Sequence, residues 1–157
     1  MKITLLQVGK TDDRNLEEII KNYEKKINHY VRFDINTISE QKFSKKMNFE
    51  NIKSIEGDHI QKKIQQSSYV ILLDERGKQN TSTQFADYIQ HKMNLSIKQL
   101  VFIIGGAYGF SNKVYEIAND KISLSNMTFS HQIVRLLFLE QLYRAFTIIN
   151  GEPYHHE

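Results

Sequence analysis

Apolar residues along the chain alternate between runs of strand length and helical spacings. Lys2 to Val8 is a short apolar run closed by Gly9, and it predicts a first strand. Asp12 or Asp13 then offers an N-cap to a helix with Leu16, Ile19, Ile20, Tyr23, Ile27 and Tyr30 on one face. Val31, Phe33 and Ile35 alternate with Arg32, Asp34 and Asn36, the period of a half-buried strand, and the polar residues 39–48 read as loop. A second helix over about residues 49–66 carries Ile52, Ile55, Ile60 and Ile64. YVILL, from Tyr69 to Leu73, and QLVFII, from Gln99 to Ile104, have the apolar density of central parallel strands covered on both faces. Between them Ser82 caps a helix presenting Phe85, Tyr88, Ile89 and Met93. A short helix from Ser111 to about Asn119 leads into a fifth strand, Ile122 to Ser125. Thr128 or Ser130 then opens a long helix to about Ile149.

The resulting order, βαβαβαβαβα, predicts an α/β fold, a mainly parallel sheet with helices on both faces. The 157 residues suit one domain, read here as residues 1–157, because a single core of this size is sustainable. Ligands bind such sheets at the carboxyl ends of the strands, which directs attention to the turns after Leu73, Ile104 and Ser125.

Composition narrows the function classes. Eight tyrosines, nine phenylalanines and 40% hydrophobic residues supply a core and exclude a disordered chain. No apolar run approaches the roughly 20 residues of a membrane span. The opening MKITLLQVGKTDD lacks a leader's apolar stretch and small-residue cleavage site, so a cytoplasmic protein is expected. The absence of cysteine excludes disulfides, thiolate nucleophiles and cysteine-ligated metals. No metal site is expected either: His155 and His156 are adjacent, and the other four histidines lack ligand spacing. The net charge of +3 sits in the N-terminal part, where residues 1–69 hold 13 Lys/Arg against 10 Asp/Glu and residues 70–157 hold 8 of each. Lys42, Lys45, Lys46, Lys53, Lys62 and Lys63 form either a solvated surface or a phosphate-contacting face.

Three of the seven glycines fall in IIGGAYGF, directly after the QLVFII run. Without Cβ atoms, such a loop brings backbone close to a ligand. A dinucleotide fingerprint opening at Gly105 fails, because Ala107 and Phe110 stand where glycines are required. A phosphate-binding Walker loop fails as well: Gly9-Lys10-Thr11 is preceded by Thr4 at the first glycine position. Two further turns, LLDERGK and ISLSNMTFSHQ, reach the same sheet edge. Together they predict a cleft of backbone donors and acceptors, which suits adenine and ribose better than a triphosphate.

LLDERGKQNTSTQFA, FIIGGAYGF, SLSNMTFSHQIVRLLFLEQLYRAFTI and the terminal GEPYHHE, in that order and spacing, resemble the RlmH-type branch of the SPOUT methyltransferases. With the opening KITLLQVGK these blocks span nearly the whole chain. The resemblance implies an S-adenosylmethionine-dependent enzyme that methylates N3 of a pseudouridine in 23S ribosomal RNA. It implies action on the assembled ribosome, as a homodimer, without DNA or membrane partners. It also implies a C-terminal trefoil knot in the cofactor-binding part, about residues 70–157. By position, the family's cofactor contacts fall on Leu73, Gly105, Leu124, Ser125, Asn126, Met127, Thr128 and Phe129. Gly106 and Gly109 shape the loop, and Met127 and Phe129 equally fit an apolar core. Ser130 stands where the family commonly has proline before His131 and Gln132. The alternative function is a non-catalytic ribosome- or RNA-binding protein of the same fold.

Methyl transfer to a base nitrogen needs in-line positioning and a group that removes or compensates the departing proton. Candidates are Arg144, His131, Tyr154 and His155. Arg144 follows Glu140 by four residues on the last helix, the spacing of a surface ion pair; the resemblance implies instead that it reaches the site across the dimer. His131 reads equally as a structural residue of the last helix. Pro153, the single proline, fixes the backbone before Tyr154 and His155, a base-stacking ring and a group able to take a proton near neutral pH. Apolar residues from Ile133 to Ile149 spread around most of the last helix, which calls for a second helix-covering partner.

Overall fold

A computed structural model describes residues 1–39, 43 and 46–154. Its elements are β1 (Lys2–Val8), α1 (Arg14–Ile27), β2 (Arg32–Ile38), α2 (Phe49–Lys63), β3 (Tyr69–Gln79), α3 (Ser82–Asn94), β4 (Gln99–Ile104), α4 (Asn112–Ile117), β5 (Asp120–Ser123) and α5 (His131–Ile149). The strands form one sheet in the order β2-β1-β4-β3-β5, with every pairing parallel. The α/β reading with helices on both faces therefore holds.

One core lies between the sheet and α1, α3 and α5, filled by Ile20, Ile27, Phe85, Ile89, Phe102, Phe138, Leu142 and Phe146. The other lies beneath α2 and α4, with Ile60, Phe110 and Val114 against Val70, Leu72, Val101 and Ile103. Crossovers moving one way along the sheet use α1 and α3, and those moving back use α2 and α4 on the opposite face, so all four share one hand. The inner strands are buried on both sides, which is why YVILL and QLVFII lack polar alternation.

The starts of α1, α2, α3 and α5 follow side-chain capping. Asp13 caps α1 through the amides of Asn15 and Leu16, Asn48 caps α2, and Ser130 caps α5. The cap of α3 is Thr81 rather than Ser82, because Thr81 and Gln84 form a reciprocal capping box. Two expected ends also move. The third strand continues past Leu73 to Gln79, and the fifth spans Asp120–Ser123 rather than 122–125. On α3 the predicted inward Met93 is exposed and Lys92 is buried in its place. Burying that ammonium is feasible because Lys92 Nζ lies 2.7 Å from the Tyr69 hydroxyl and 3.2 Å from Asp120 Oδ2, which also accepts from Tyr69 and Tyr88.

α5 is pinned by Arg135, a fully buried side chain that donates from Nη2 to the Val8 carbonyl (2.7 Å) and from Nη1 to Thr11 Oγ1 (2.9 Å). Gln132 reinforces the join, donating to Asp12 Oδ2 while its Oε1 accepts from the Asp12 amide. The last helix thus returns beneath the carboxyl end of β1 although β5, the strand before it, is at the far edge of the sheet.

Candidate functional site

The carboxyl ends of β3, β4 and β5 open into a cleft of about 610 Å³. That lies within the range of small-molecule sites. Most of its wall comes from three chain segments, each shaped by local chemistry, with Lys53 of α2, Asn112 and Tyr115 of α4 and Val134 of α5 at its borders.

The first is a bulge in β3. Leu73 and Lys78 both pair with Ile122, so residues 74–77 leave the ladder and the strand resumes after them. Gly77 makes the return possible, since a Cβ there would sit 2.5 Å from the backbone of Ile122. Asp74 Oδ1 accepts from the Arg76 amide (2.8 Å), closing the bulge, and Asp74 Oδ2 accepts a short bond from the Tyr115 hydroxyl of α4. Burial together with that bond pushes Tyr115 up to about 12, so it stays a neutral donor. The bulge carries Asp74, Glu75 and Arg76 to the cleft.

The second segment is the glycine turn after β4. Gly109 donates its amide to the Gly106 carbonyl (3.2 Å) at φ +79°, a left-handed conformation that glycine takes without strain. A Cβ on Gly105 would press on the Phe110 ring at 3.0 Å, and one on Gly106 would meet the Glu56 carboxylate at 2.6 Å. The turn therefore lies against side chains behind it and lines the cleft with backbone.

The third is the loop from β5 to α5. Ser123 Oγ donates to the Ser125 carbonyl (2.9 Å), and Ser125 Oγ accepts from the Met127 amide (2.9 Å). Leu124, Ser125, Met127, Thr128 and Phe129 line the cleft, as do Ser130 and His131. Met127 and Phe129 are 73% and 40% exposed, so they do not belong to the core.

Of the eight residues expected to hold a cofactor, the structure gathers Leu73, Gly105, Leu124, Ser125, Met127, Thr128 and Phe129 around this cleft, whereas Asn126 is exposed and outside its lining. Arg144 and Tyr154 are elsewhere. Glu140 Oε1 accepts from Arg144 Nε (3.0 Å) and Nη2 (2.6 Å), which reinforces the guanidinium's positive charge. The guanidinium lies 4.8 Å over the Tyr154 ring, which packs edge-on against Tyr143. The described part of the tail is held by Tyr154 against α5 and by Glu152, which accepts from the Tyr30 hydroxyl (2.7 Å). Within one chain, then, the described members of the expected catalytic set, Arg144 and Tyr154, are separate from the expected cofactor set. His155, like Lys42 and Lys45, lies outside the described residues. Among the other lysines only Lys53 lines the cleft; Lys62 and Lys63 stand roughly 15 Å further along α2.

Sequence reasoning missed Tyr115 and Glu56 and gave Lys53 only as one of six lysines on a solvated or phosphate-contacting face; all three are delivered by helices on the opposite side from α5. No period or motif marks them. Their only signal is the strand order, which brings α2 and α4 together behind the glycine turn.

The sequence profile described as "Predicted SPOUT methyltransferase" matches residues 1–155. Proteins named ribosomal RNA large subunit methyltransferase H are similar over their full length. The one from Christiangramia forsetii is 53% identical over 99% of both chains, and that from Bacteroides thetaiotaomicron is 50% identical over 100% of both. Among solved structures, a "probable methylase family protein" from Haemophilus influenzae Rd KW20 superposes with a TM-score of 0.54 at 12% identity, over 99% of this chain and 70% of that one, and shares the fold. The chain belongs to the SPOUT methyltransferase family, in the branch whose relatives bear the name ribosomal RNA large subunit methyltransferase H.

Proposed function

We propose that this protein is a cytoplasmic, S-adenosylmethionine-dependent methyltransferase of large-subunit ribosomal RNA, acting as a homodimer on N3 of a 23S pseudouridine in the assembled ribosome. The observation that carries the reading is the convergence of three separate turns on one cleft that presents backbone groups beside an apolar floor of Leu73, Ile104 and Phe110. Such a donor set fits a neutral adenine and ribose, and the bare glycine turn admits them closely. When bound, S-adenosylmethionine supplies an electrophilic methyl group.

The chain's own residues then have two tasks. Leu73, Gly105 and the loop Leu124, Ser125, Asn126, Met127, Thr128 and Phe129 hold the cofactor. Arg144, Tyr154 and His155 hold the base, compensate the charge left as its N3 proton departs, and take that proton up. On this reading the Glu140–Arg144–Tyr154 group serves the cleft of a partner subunit, which accounts for its absence from the cleft of its own chain. The return of α5 from the sheet edge to β1, with Gln141 accepting from Ser82 at the start of α3, agrees with the knot that the resemblance implies within about residues 70–157.

Labelled methyl transfer to ribosomes from cells lacking this protein, beside ribosomes lacking the pseudouridine, tests the reading. Label confined to pseudouridine-containing 23S RNA is expected. Cofactor binding without any transfer would favour a non-catalytic RNA-binding protein. Deleting residues 154–157 should abolish transfer and leave cofactor affinity within about twofold, because Tyr154, the described residue of that segment, is not part of the cleft. Unchanged turnover would remove the tail from the mechanism.

A further inference from the structure

The rim of the cleft carries an aromatic pair that neither core absorbs. Tyr108 occupies the tip of the glycine turn, and Phe49 is the first residue of α2. Their rings stack with centroids 4.5 Å apart and planes 21° from parallel. Phe49 is 60% exposed and Tyr108 46% exposed, the condition of rings whose outer surfaces face solvent. Tyr108 lines the cleft itself.

Both rings are held in place. The Gly109-to-Gly106 bond closes the turn beneath Tyr108, and Asn48 caps α2 immediately before Phe49 through the Asn51 amide (2.8 Å). Ordering costs are thus met before anything binds. Cations flank the pair: Lys46 is exposed three residues before Phe49, and Lys53, one helical turn after it, borders the cleft beside its partner Glu50. Flat, rigid π-surface next to lysine is the combination by which proteins hold single-stranded nucleic acid, rings taking bases and ammonium groups taking phosphate.

We propose that Phe49 and Tyr108 form a stacking platform for an unpaired RNA base next to the methylated nucleoside, making them positioning residues for the substrate. The inference rests on RNA being the substrate and adds where its neighbouring base is held. An RNA strand is the occupant that uses both exposed ring faces together with the exposed Lys46 ammonium.

The test compares Phe49→Ala and Phe49→Tyr with the wild-type protein on ribosomes from cells lacking it, reading equilibrium binding and methyl transfer separately. Phe49→Ala is expected to raise both the ribosome Kd and KM about tenfold, the lower part of the range for one base–aromatic stack. Its kcat, its affinity for S-adenosylmethionine and its sedimentation should match the wild type. Phe49→Tyr, which keeps the ring, should restore binding, and Tyr108→Ala should weaken it similarly. Kd and KM within twofold of wild type for Phe49→Ala would overturn the platform, as would weakened cofactor binding or a changed oligomeric state as the main effect. Ribosome binding that depends on the rings without any methyl transfer by the wild type would overturn the enzymatic reading and leave the platform standing.

Discussion

Gly77→Ala isolates the device that builds the cleft. A Cβ at residue 77 would lie 2.5 Å from both the amide nitrogen and the carbonyl carbon of Ile122, about 0.9 Å short of ordinary contact at 3.4 Å. Both atoms are backbone, so no side chain can swing away, and β5 must separate from the resumed part of β3. The pairings at risk are Lys78 with Ile122 and Gln79 with Ser123. Losing about two backbone hydrogen bonds costs on the order of 2 kcal/mol. Partial exposure of Ile122, now 4% exposed, adds roughly 1–2 kcal/mol. A total near 3–4 kcal/mol is a substantial share of the about 5–15 kcal/mol that holds a domain folded. The melting temperature should therefore fall by about 10 °C in scanning calorimetry, at roughly 2–4 °C per kcal/mol for a chain of this size. Gly109→Ala is the control: φ is +79° but nothing lies within 4 Å of its Cβ position. It tests backbone conformation alone, at about 1 kcal/mol. A Gly77→Ala protein that melts no lower than Gly109→Ala would refute the argument that close approach requires glycine at position 77.

Two further perturbations probe the supports behind the site. Arg135→Met removes the bonds to Val8 and Thr11 from a fully buried position and leaves the Val8 carbonyl without that donor; urea unfolding should show a loss of about 3 kcal/mol. Arg135→Lys should recover less than half of it, since one ammonium cannot reproduce the two-pronged contact; full recovery would count against the pin. At Asp120, burial alone would raise the carboxyl pKa, but hydroxyl bonds from Tyr69 and Tyr88 and the ammonium of Lys92 outweigh it and hold the group below its usual range. The folded state therefore binds this proton less readily than the unfolded chain. The stabilisation is complete above the unfolded carboxyl pKa of about 4 and is lost as pH falls through the lower folded value. The stability gap between wild type and Asp120→Asn should be constant from pH 5 to 7 and narrow below about pH 4; a gap independent of pH would exclude the carboxylate as its source.

Element identity was legible in the sequence because apolar period and capping residues are local properties. Ends and partners were less so. The apolar run stops at Leu73, and reading the strand's end from it overlooked that ladder bonds are made by backbone, so Gly77 lets β3 resume beyond a polar bulge. Met93 is the apolar residue at the expected helical spacing, yet Lys92 is buried because β3, α3 and β5 jointly supply two hydroxyls and a carboxylate. The three turns that line the cleft were legible because glycine and hydroxyl residues at strand ends report on backbone geometry, whereas the individual residues expected at the cofactor came from the family resemblance. Phe49 and Tyr115 carry no such local mark, since it is the α2 and α4 crossovers on one face of the sheet that deliver them.

The separation of the two residue sets within one chain leads to a final prediction. The cleft requires β3, β4, β5 and the loop into α5, whereas the Glu140–Arg144–Tyr154 group is assembled from the far part of α5 and the tail. If each cleft is completed by its partner, two different defects are complementary in a mixed dimer. Gly106→Val disables a cleft, because its side chain would collide with the Glu56 carboxylate, and deletion of residues 154–157 disables a tail. Each homodimer lacks activity. A mixed dimer pairs an intact cleft on one subunit with an intact tail on the other, giving one working site of two. With equal amounts and random exchange, half of the dimers are mixed, and methyl transfer should recover to about a quarter of the wild-type rate. Completion by each chain's own tail predicts no recovery at any ratio, because no subunit then carries both parts. Activity that rises with mixing time and plateaus near that fraction can come only from a site shared between two chains.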